Sequence, residues 1–203
     1  MFISLEGIDR SGKTTQAALL ARALGAETLL LREPGGTPAG ERIRAILKDP
    51  EIELGALAEL LLFSAARADL VREVIEPARA AGRDVVCDRF VDSTAAYQGA
   101  ARGIGLDVVE PLSGLVAGSC MPDLTVLVRV DPDLAAARGA GRLDLGEADG
   151  ADRFEAAGLD FQRAVAAAYD ELAARETDRI VVVDGEGEPE EVHRRVMAAV
   201  AER

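Results

Sequence analysis

Gly7-Ile8-Asp9-Arg10-Ser11-Gly12-Lys13-Thr14 follows the apolar run Phe2-Ile3-Ser4-Leu5-Glu6 and opens an alanine- and leucine-rich helical pattern at 13–24. Strand, G-x-x-x-x-G-K-[ST], then helix is the order of a phosphate-binding loop. Its glycines let backbone N–H groups turn inward around phosphate oxygens, and the helix adds its positive N-terminal end. Lys13 is placed to reach the β and γ phosphates, and the Thr14 hydroxyl to ligate a Mg²⁺ ion bridging them. The chain holds 2 lysines among its 23 basic residues, and one stands where the motif demands it; Lys48 has no comparable role. Asp88 ends the run Asp84-Val85-Val86-Cys87 and should emerge beside the loop as a second Mg²⁺ ligand, direct or through water. A strand-end aspartate that caps the next turn is the plainer alternative.

Outward from this loop, short β-branched or leucine-rich runs alternate with longer amphipathic ones, as in a parallel sheet flanked by helices. Strands are predicted at 2–6, 28–32, 84–87, 124–130 and 179–183. Helices are predicted at 13–24, 39–47, 56–81, 93–100, 108–117, 132–138, 155–175 and 189–201. The expected fold is α/β, of the P-loop NTPase kind, with a five-stranded parallel sheet, helices on both faces and ligands at the strands' carboxyl ends. The 203 residues suit one domain, 1–203, since single domains commonly hold about 100–200. A glycine-rich, acidic stretch at 139–152 interrupts two helical patterns. It reads as a solvated surface loop or as a short flexible lid, because weakly apolar, glycine-rich segments open at little cost.

The formal net charge of −13 opposes binding to a nucleic acid polymer, which needs basic surface to displace counterions. A local arginine cluster can still hold a small phosphorylated substrate. No apolar run approaches the roughly 18 residues of a membrane span, and the amino terminus reads as a strand rather than a signal peptide. No membrane partner and a cytoplasmic location are therefore expected. Cys87 and Cys120 read as buried, inert thiols, in keeping with that compartment. The single histidine, His193, falls in a charged helical segment expected to be exposed, which disfavours it as a general base.

A phosphate-binding loop leaves the acceptor open: water, a protein switch or a small molecule. The chain has no asparagine, so the asparagine–lysine–aspartate guanine reader of regulatory GTPases is missing. ATPase motors act on large partners, for which 203 residues leave little room. Arg44, Arg67 and Arg89 stand in separate parts of the chain and favour a second anionic substrate; Arg72, Arg79 and Arg83 read as surface charges. Phe63 lies one helical turn before Arg67, so ring and guanidinium share a face and could stack on a base and bond its edge. A core phenylalanine beside a snorkelling arginine is the ordinary alternative.

Six blocks, in order, resemble the thymidylate kinase family over nearly the whole chain. Leu5-Glu6-Gly7 enters the loop; Arg32-Glu33-Pro34-Gly35-Gly36-Thr37 and Leu62-Phe63-Ser64-Ala65-Ala66-Arg67 follow. Then come Asp88-Arg89-Phe90-Val91-Asp92-Ser93-Thr94-Ala95-Ala96-Tyr97-Gln98-Gly99, Pro122-Asp123-Leu124-Thr125 and Asp152-Arg153-Phe154-Glu155. Each block alone is weak; the ordered set is specific. It implies a nucleoside monophosphate kinase that moves the γ-phosphoryl of ATP onto dTMP, giving dTDP and ADP for dTTP synthesis, with Mg²⁺ as cofactor. Residues 57–63 carry more apolar positions than one buried helix face needs, and the resemblance implies a homodimer formed around them.

The resemblance also implies roles. ATP would be held by Gly7, Ile8, Asp9, Arg10, Ser11, Gly12, Lys13, Thr14 and Thr15, with Arg138 packed on adenine. For dTMP, Phe63 would stack on thymine and Arg67 bond its exocyclic oxygen, while Thr94 and Gln98 complete the base and sugar contacts. Tyr97 would crowd the ribose 2′ position, Arg44 and Arg89 would clamp the phosphate, and Glu33 and Asp9 would lie near the sugar and the reacting phosphates. Catalysis is assigned to Asp9, Arg10, Lys13, Arg89, Arg142 and Arg153, the last closing from the far side of a lid at about 139–153. Family members carry either a basic residue inside the phosphate loop or a catalytic arginine in the lid. This chain has Arg10 in the first position and Arg142 in the second, and Arg10 is expected to dominate. The competing readings are another small-molecule kinase and a non-catalytic nucleotide-binding regulator.

Overall fold

The computed structural model describes the backbone of residues 1–144 and 158–203 and, outside 139–144, their side chains. The chain runs β1 (Phe2–Glu6), α1 (Lys13–Leu24), β2 (Leu29–Arg32), α2 (Pro38–Lys48), α3 (Ala56–Leu70), α4 (Glu76–Ala80), β3 (Val85–Asp88), α5 (Val91–Thr94) and α6 (Leu106–Ala117). It continues with β4 (Leu124–Arg129), α7 (Pro132–Asp144), α8 (Leu159–Arg175), β5 (Ile180–Asp184) and α9 (Pro189–Ala201). The five strands are parallel, in the order β2-β3-β1-β4-β5, the sheet expected from the sequence.

Side-chain alternation decides which helices cover which face. Ile3, Leu5, Val86, Val126 and Val128 point to one side, where α1 (Ala17, Leu20) and α9 (Val192, Val196) pack. Phe2, Val85 and Cys87 point to the other and meet Leu70, Ile75 and Ala117 from the 56–80 helical run and α6. Leu127 and Ile180 extend that second face under Val165, Tyr169 and Leu172 of α8. With both faces covered, β1 and β3 are buried along their whole length and β4 up to Val128, as the centre of a parallel sheet requires, whereas the edge strands β2 and β5 keep exposed positions such as Leu30 and Val182. β1 is central, so the loop that follows it opens where β3 and β4 diverge, the ligand crevice of such sheets.

Several boundaries differ from the sequence reading. The helix predicted at 56–81 contains a π-helical stretch, Val71–Ile75, between α3 and α4. The one predicted at 93–100 is α5 followed by a π-helical Ala95–Ala101. Their i→i+5 bonding leaves no trace in an apolar period. α7 continues through Asp144, so the predicted loop at 139–152 begins as helix. Glycine disfavours helix by only about 1 kcal/mol per residue, a weak preference that a continuing helix overrides. α8 starts at Leu159 after Gly158 at φ 88°, later than the predicted 155. Residues 145–157, including Arg153, lie outside the described residues, as does the Arg142 side chain. His193 is half-buried on α9 rather than exposed. Cys87 and Cys120 are buried and unbridged, and burial pushes both thiols up, the inert state expected of them.

Candidate active site

The loop after β1 needs glycine at both ends. A Cβ on Gly7 would stand 2.5 Å from the Val128 carbonyl oxygen, and Gly12 caps α1 at φ 89°. Arg10 is the exception, a non-glycine residue at φ 64°, a conformation whose cost is of order 1–3 kcal/mol and which collects at functional sites. Lys13 folds back so that its Nζ donates to the Ile8 carbonyl at 3.1 Å. Burial and then Arg89 lower the Lys13 ammonium below its usual range, against Asp88 and Asp9. Thr14 donates its hydroxyl to Asp88 Oδ2 at 2.5 Å, across from the end of β3. Asp88 Oδ1 is buried with no hydrogen-bond partner among the described residues. A hydroxyl and a half-satisfied carboxylate side by side are hard oxygen donors that suit Mg²⁺.

A cleft of about 590 Å³ runs over this loop and collects most of the residues singled out from the sequence. Asp9 to Thr15, Arg44, Phe63, Arg67, Asp88, Arg89, Thr94, Tyr97, Gln98, Glu33 and Arg138 all line it. Gly7 and Ile8 do not. Ile8 is buried in the core and Gly7 turns its carbonyl to Arg89, so these two shape the cradle rather than face it. Arg44 donates to the Pro34 carbonyl at 2.9 Å.

Arg67 is not a snorkelling surface arginine: it is 2% exposed. Nε and Nη2 donate to Glu33 Oε2 at 2.8 and 2.6 Å, Nη2 also to the Phe90 carbonyl at 2.9 Å, and Nη1 to Thr94 Oγ1 at 2.9 Å. Its guanidinium lies 5.0 Å from the centre of the Phe90 ring. Burial raises the Glu33 carboxyl above its ordinary range even with Arg67 opposing it. Glu33, expected near the sugar, is thus first a partner of Arg67.

Arg89, at φ 72°, is the centre of a second network. It pairs through Nη2 with Asp9 Oδ1, and donates to the Tyr97 hydroxyl at 3.0 Å, Ser93 Oγ at 3.0 Å and the Gly7 carbonyl at 3.1 Å. Burial works to raise the Asp9 carboxyl, but Arg89 and Lys13 outweigh it and hold it below its ordinary value. Behind Arg89, Ser93 and Tyr169 donate their hydroxyls to the buried Glu6 carboxylate at 2.5 and 2.8 Å, and the Phe90 N–H donates to it at 2.7 Å. Because both hydroxyl protons are committed to Glu6, the Ser93 oxygen is left to accept from Arg89. Burial, with Asp92 adding, pushes Glu6 up to about 7 against Ser93, Arg89 and Tyr169.

Sequence reasoning missed several contributors. Gln162 of α8 donates to Asp9 Oδ2 at 2.8 Å, and Glu6 and Tyr169 act from 163 positions apart; no local spacing links such pairs. Gly185, Gly187 and Pro189 form the end of the cleft beside Arg138, which donates to the Gly185 carbonyl at 3.1 Å. Lys48 and Arg32 also line the cleft.

The description "Thymidylate kinase" belongs to the family model that matches residues 5–196. The thymidylate kinase of Deinococcus radiodurans is 45% identical over 100% of this chain and 97% of its own length. That of Dinoroseobacter shibae is 48% identical over 97% and 94%. Among solved structures, the thymidylate kinase of Ehrlichia chaffeensis superposes with a TM-score of 0.79 at 32% identity, covering 98% of each chain. Loop, sheet order and cleft agree with the ordered sequence blocks, and the chain belongs to the thymidylate kinase family.

Proposed function

We propose that this cleft aligns ATP and dTMP for direct transfer of the γ-phosphoryl group, yielding dTDP and ADP, in the cytoplasm. The observation that carries the reading is that Arg44, Arg67 and Arg89 share one cleft with Lys13, so an acceptor phosphate can lie opposite the donor's. A dTMP phosphate oxygen is already a nucleophile at neutral pH, so the reaction rests on alignment and charge stabilisation rather than on a base. His193, absent from the cleft lining, is not needed. Lys13 meets the β and γ phosphate oxygens, whose charge favours the ammonium that burial and Arg89 disfavour. Arg89, oriented by Asp9 and Ser93, and Arg44 hold the dTMP phosphate in line. Arg10, projected from its left-handed position, contacts the transferring group, with Arg142 secondary and Arg153 closing from the far side.

Thr14 and Asp88 would hold Mg²⁺, which when bound neutralises charge on the β and γ oxygens. Phe63 and Arg67 receive thymine with Thr94 and Gln98, Tyr97 borders the sugar, and Gly185, Gly187 and Arg138 receive adenine. Leu57 and Leu61, 59% and 52% exposed one turn apart on α3, and Leu115, 80% exposed on the adjoining α6, form the apolar face of a homodimer. Only monomer in sedimentation at micromolar concentration would remove that assignment.

An acceptor panel with ATP and Mg²⁺ tests the activity. dTMP should outcompete thymidine, dUMP, dCMP and AMP, and chelation by EDTA should stop turnover. Preference for thymidine or AMP would move the chain to another kinase specificity.

A further inference from the structure

Glu59 is a buried carboxylate that the mechanism does not use, 1% exposed on α3. It lies on the same stripe of that helix as Phe63 and Arg67, at successive four-residue steps. Thr94, Gln98 and Arg102 stand at the same steps on the run that faces them. The two stripes are cross-bonded. Arg67 Nη1 donates to Thr94 Oγ1 at 2.9 Å, Gln98 Nε2 donates to Glu59 Oε1 at 2.9 Å, and Arg102 donates to the two Glu59 oxygens at 3.3 and 3.4 Å. Arg102 is itself steadied 4.6 Å from the centre of the Phe161 ring.

The chemistry of the Glu59–Gln98 contact decides a polarity. An ionised carboxylate, here balanced by Arg102, only accepts hydrogen bonds, whereas an amide has a donor end and an acceptor end. Turning the Gln98 amide over would set its carbonyl oxygen against Glu59 Oε1, two buried acceptors facing each other, and forfeit the bond. The amide is therefore held with Nε2 on Glu59 and Oε1 turned away from it, and Gln98 lines the cleft. Next to it Arg67 presents the opposite character. Four of its five N–H groups are engaged by Glu33, Phe90 and Thr94, which leaves one Nη1 N–H. An acceptor beside a donor matches a pyrimidine whose N3 carries a proton next to a C4 carbonyl. It opposes cytosine, whose N3 is an acceptor and whose C4 bears an amine.

We propose that Glu59 is a positioning residue for base specificity, fixing the Gln98 amide so that the cleft takes imide-bearing pyrimidines and rejects cytosine. The inference rests on the dTMP-kinase reading of the same cleft. Glu59 touches no substrate and acts only through Gln98.

Glu59→Gln keeps the shape but can accept or donate, so it releases the Gln98 amide to take either orientation. The ratio of kcat/KM for dTMP over dCMP should fall at least about tenfold, the order of one misdirected buried hydrogen bond. The dTMP over dUMP ratio should stay, because those two bases share the imide edge. Glu59→Asp keeps the charge for Arg102 but shortens the reach to Gln98, so the same ratio should fall in the same direction if the first variant does not fold. A folded variant that loses dTMP and dCMP turnover in equal proportion, or keeps its ratio, overturns the proposal. Native protein is assayed first: no dTMP turnover there overturns the kinase reading and this inference with it. An active native enzyme with unmoved ratios in the variants overturns this inference alone.

Discussion

The two ends of the cleft are built on opposite principles. On the base side, Glu33, Arg67, Thr94, Glu59 and Gln98 are nearly inaccessible and bonded to one another, so recognition groups are locked before a nucleotide arrives. On the phosphate side, Ser11 Oγ and Asp88 Oδ1 are buried without partners among the described residues, a state that only Glu33 Oε1 shares among those base-side groups. Lys13 leans on a backbone carbonyl there, and Arg10 sits in a left-handed backbone. Discrimination between bases needs donors and acceptors that cannot adapt. Stabilising a charge that develops during transfer needs groups whose best partner is the reacting phosphate.

This contrast can be broken at several points. The largest effect is expected at Arg10→Gly, where turnover should fall by about 10³–10⁵ if the guanidinium serves as an arginine finger in cis. Stability should not suffer, because glycine relaxes the positive φ. A greater kcat loss in Arg142→Ala than in Arg10→Gly would move the role to Arg142 at the end of α7.

Next is Arg67→Met, which strands the Glu33 carboxylate in the interior. The expected loss is about 3–5 kcal/mol of stability, seen as a lower melting temperature and partly recovered by adding Glu33→Gln. A loss below about 1 kcal/mol, the range of exposed pairs, would mean that the base-side network is not rigid.

The smallest effect is at Glu6. Its native value of about 7 lies above the ordinary 4.5, so between those values the folded protein keeps a proton that the unfolded chain has released. Stability from this group therefore falls as pH rises through that window, by at most about 1.4 kcal/mol per pH unit. In Glu6→Gln the melting temperature should decline less between pH 5 and pH 8 than in the native protein, while turnover drops because Ser93 and Tyr169 no longer orient Arg89. Parallel melting profiles would contradict the raised value.

What could be read from the sequence follows the same division. The phosphate loop was legible because its chemistry is a fixed spacing, and the five strands because each is a short run rich in β-branched residues or leucine set between helical patterns. β1, α1 and α9 match their predicted limits. The π-helical run that carries Tyr97 and Gln98 was not legible, since its widened turn depends on tertiary packing. The contacts that aim the site, Gln162 on Asp9 and Glu6 behind Arg89, join distant parts of the chain. Glu59 is an intermediate case. Its four-residue step to Phe63 and Arg67 was visible, but its meaning required Gln98 across the groove.

ADP formation from ATP, followed by a coupled assay with and without dTMP, tests most directly whether one cleft brings two nucleotides into line. ATP alone should be hydrolysed slowly, and ADP formation should rise by orders of magnitude when dTMP is added, with one dTDP formed per ADP. ATP binding with no dTMP-dependent ADP would contradict it.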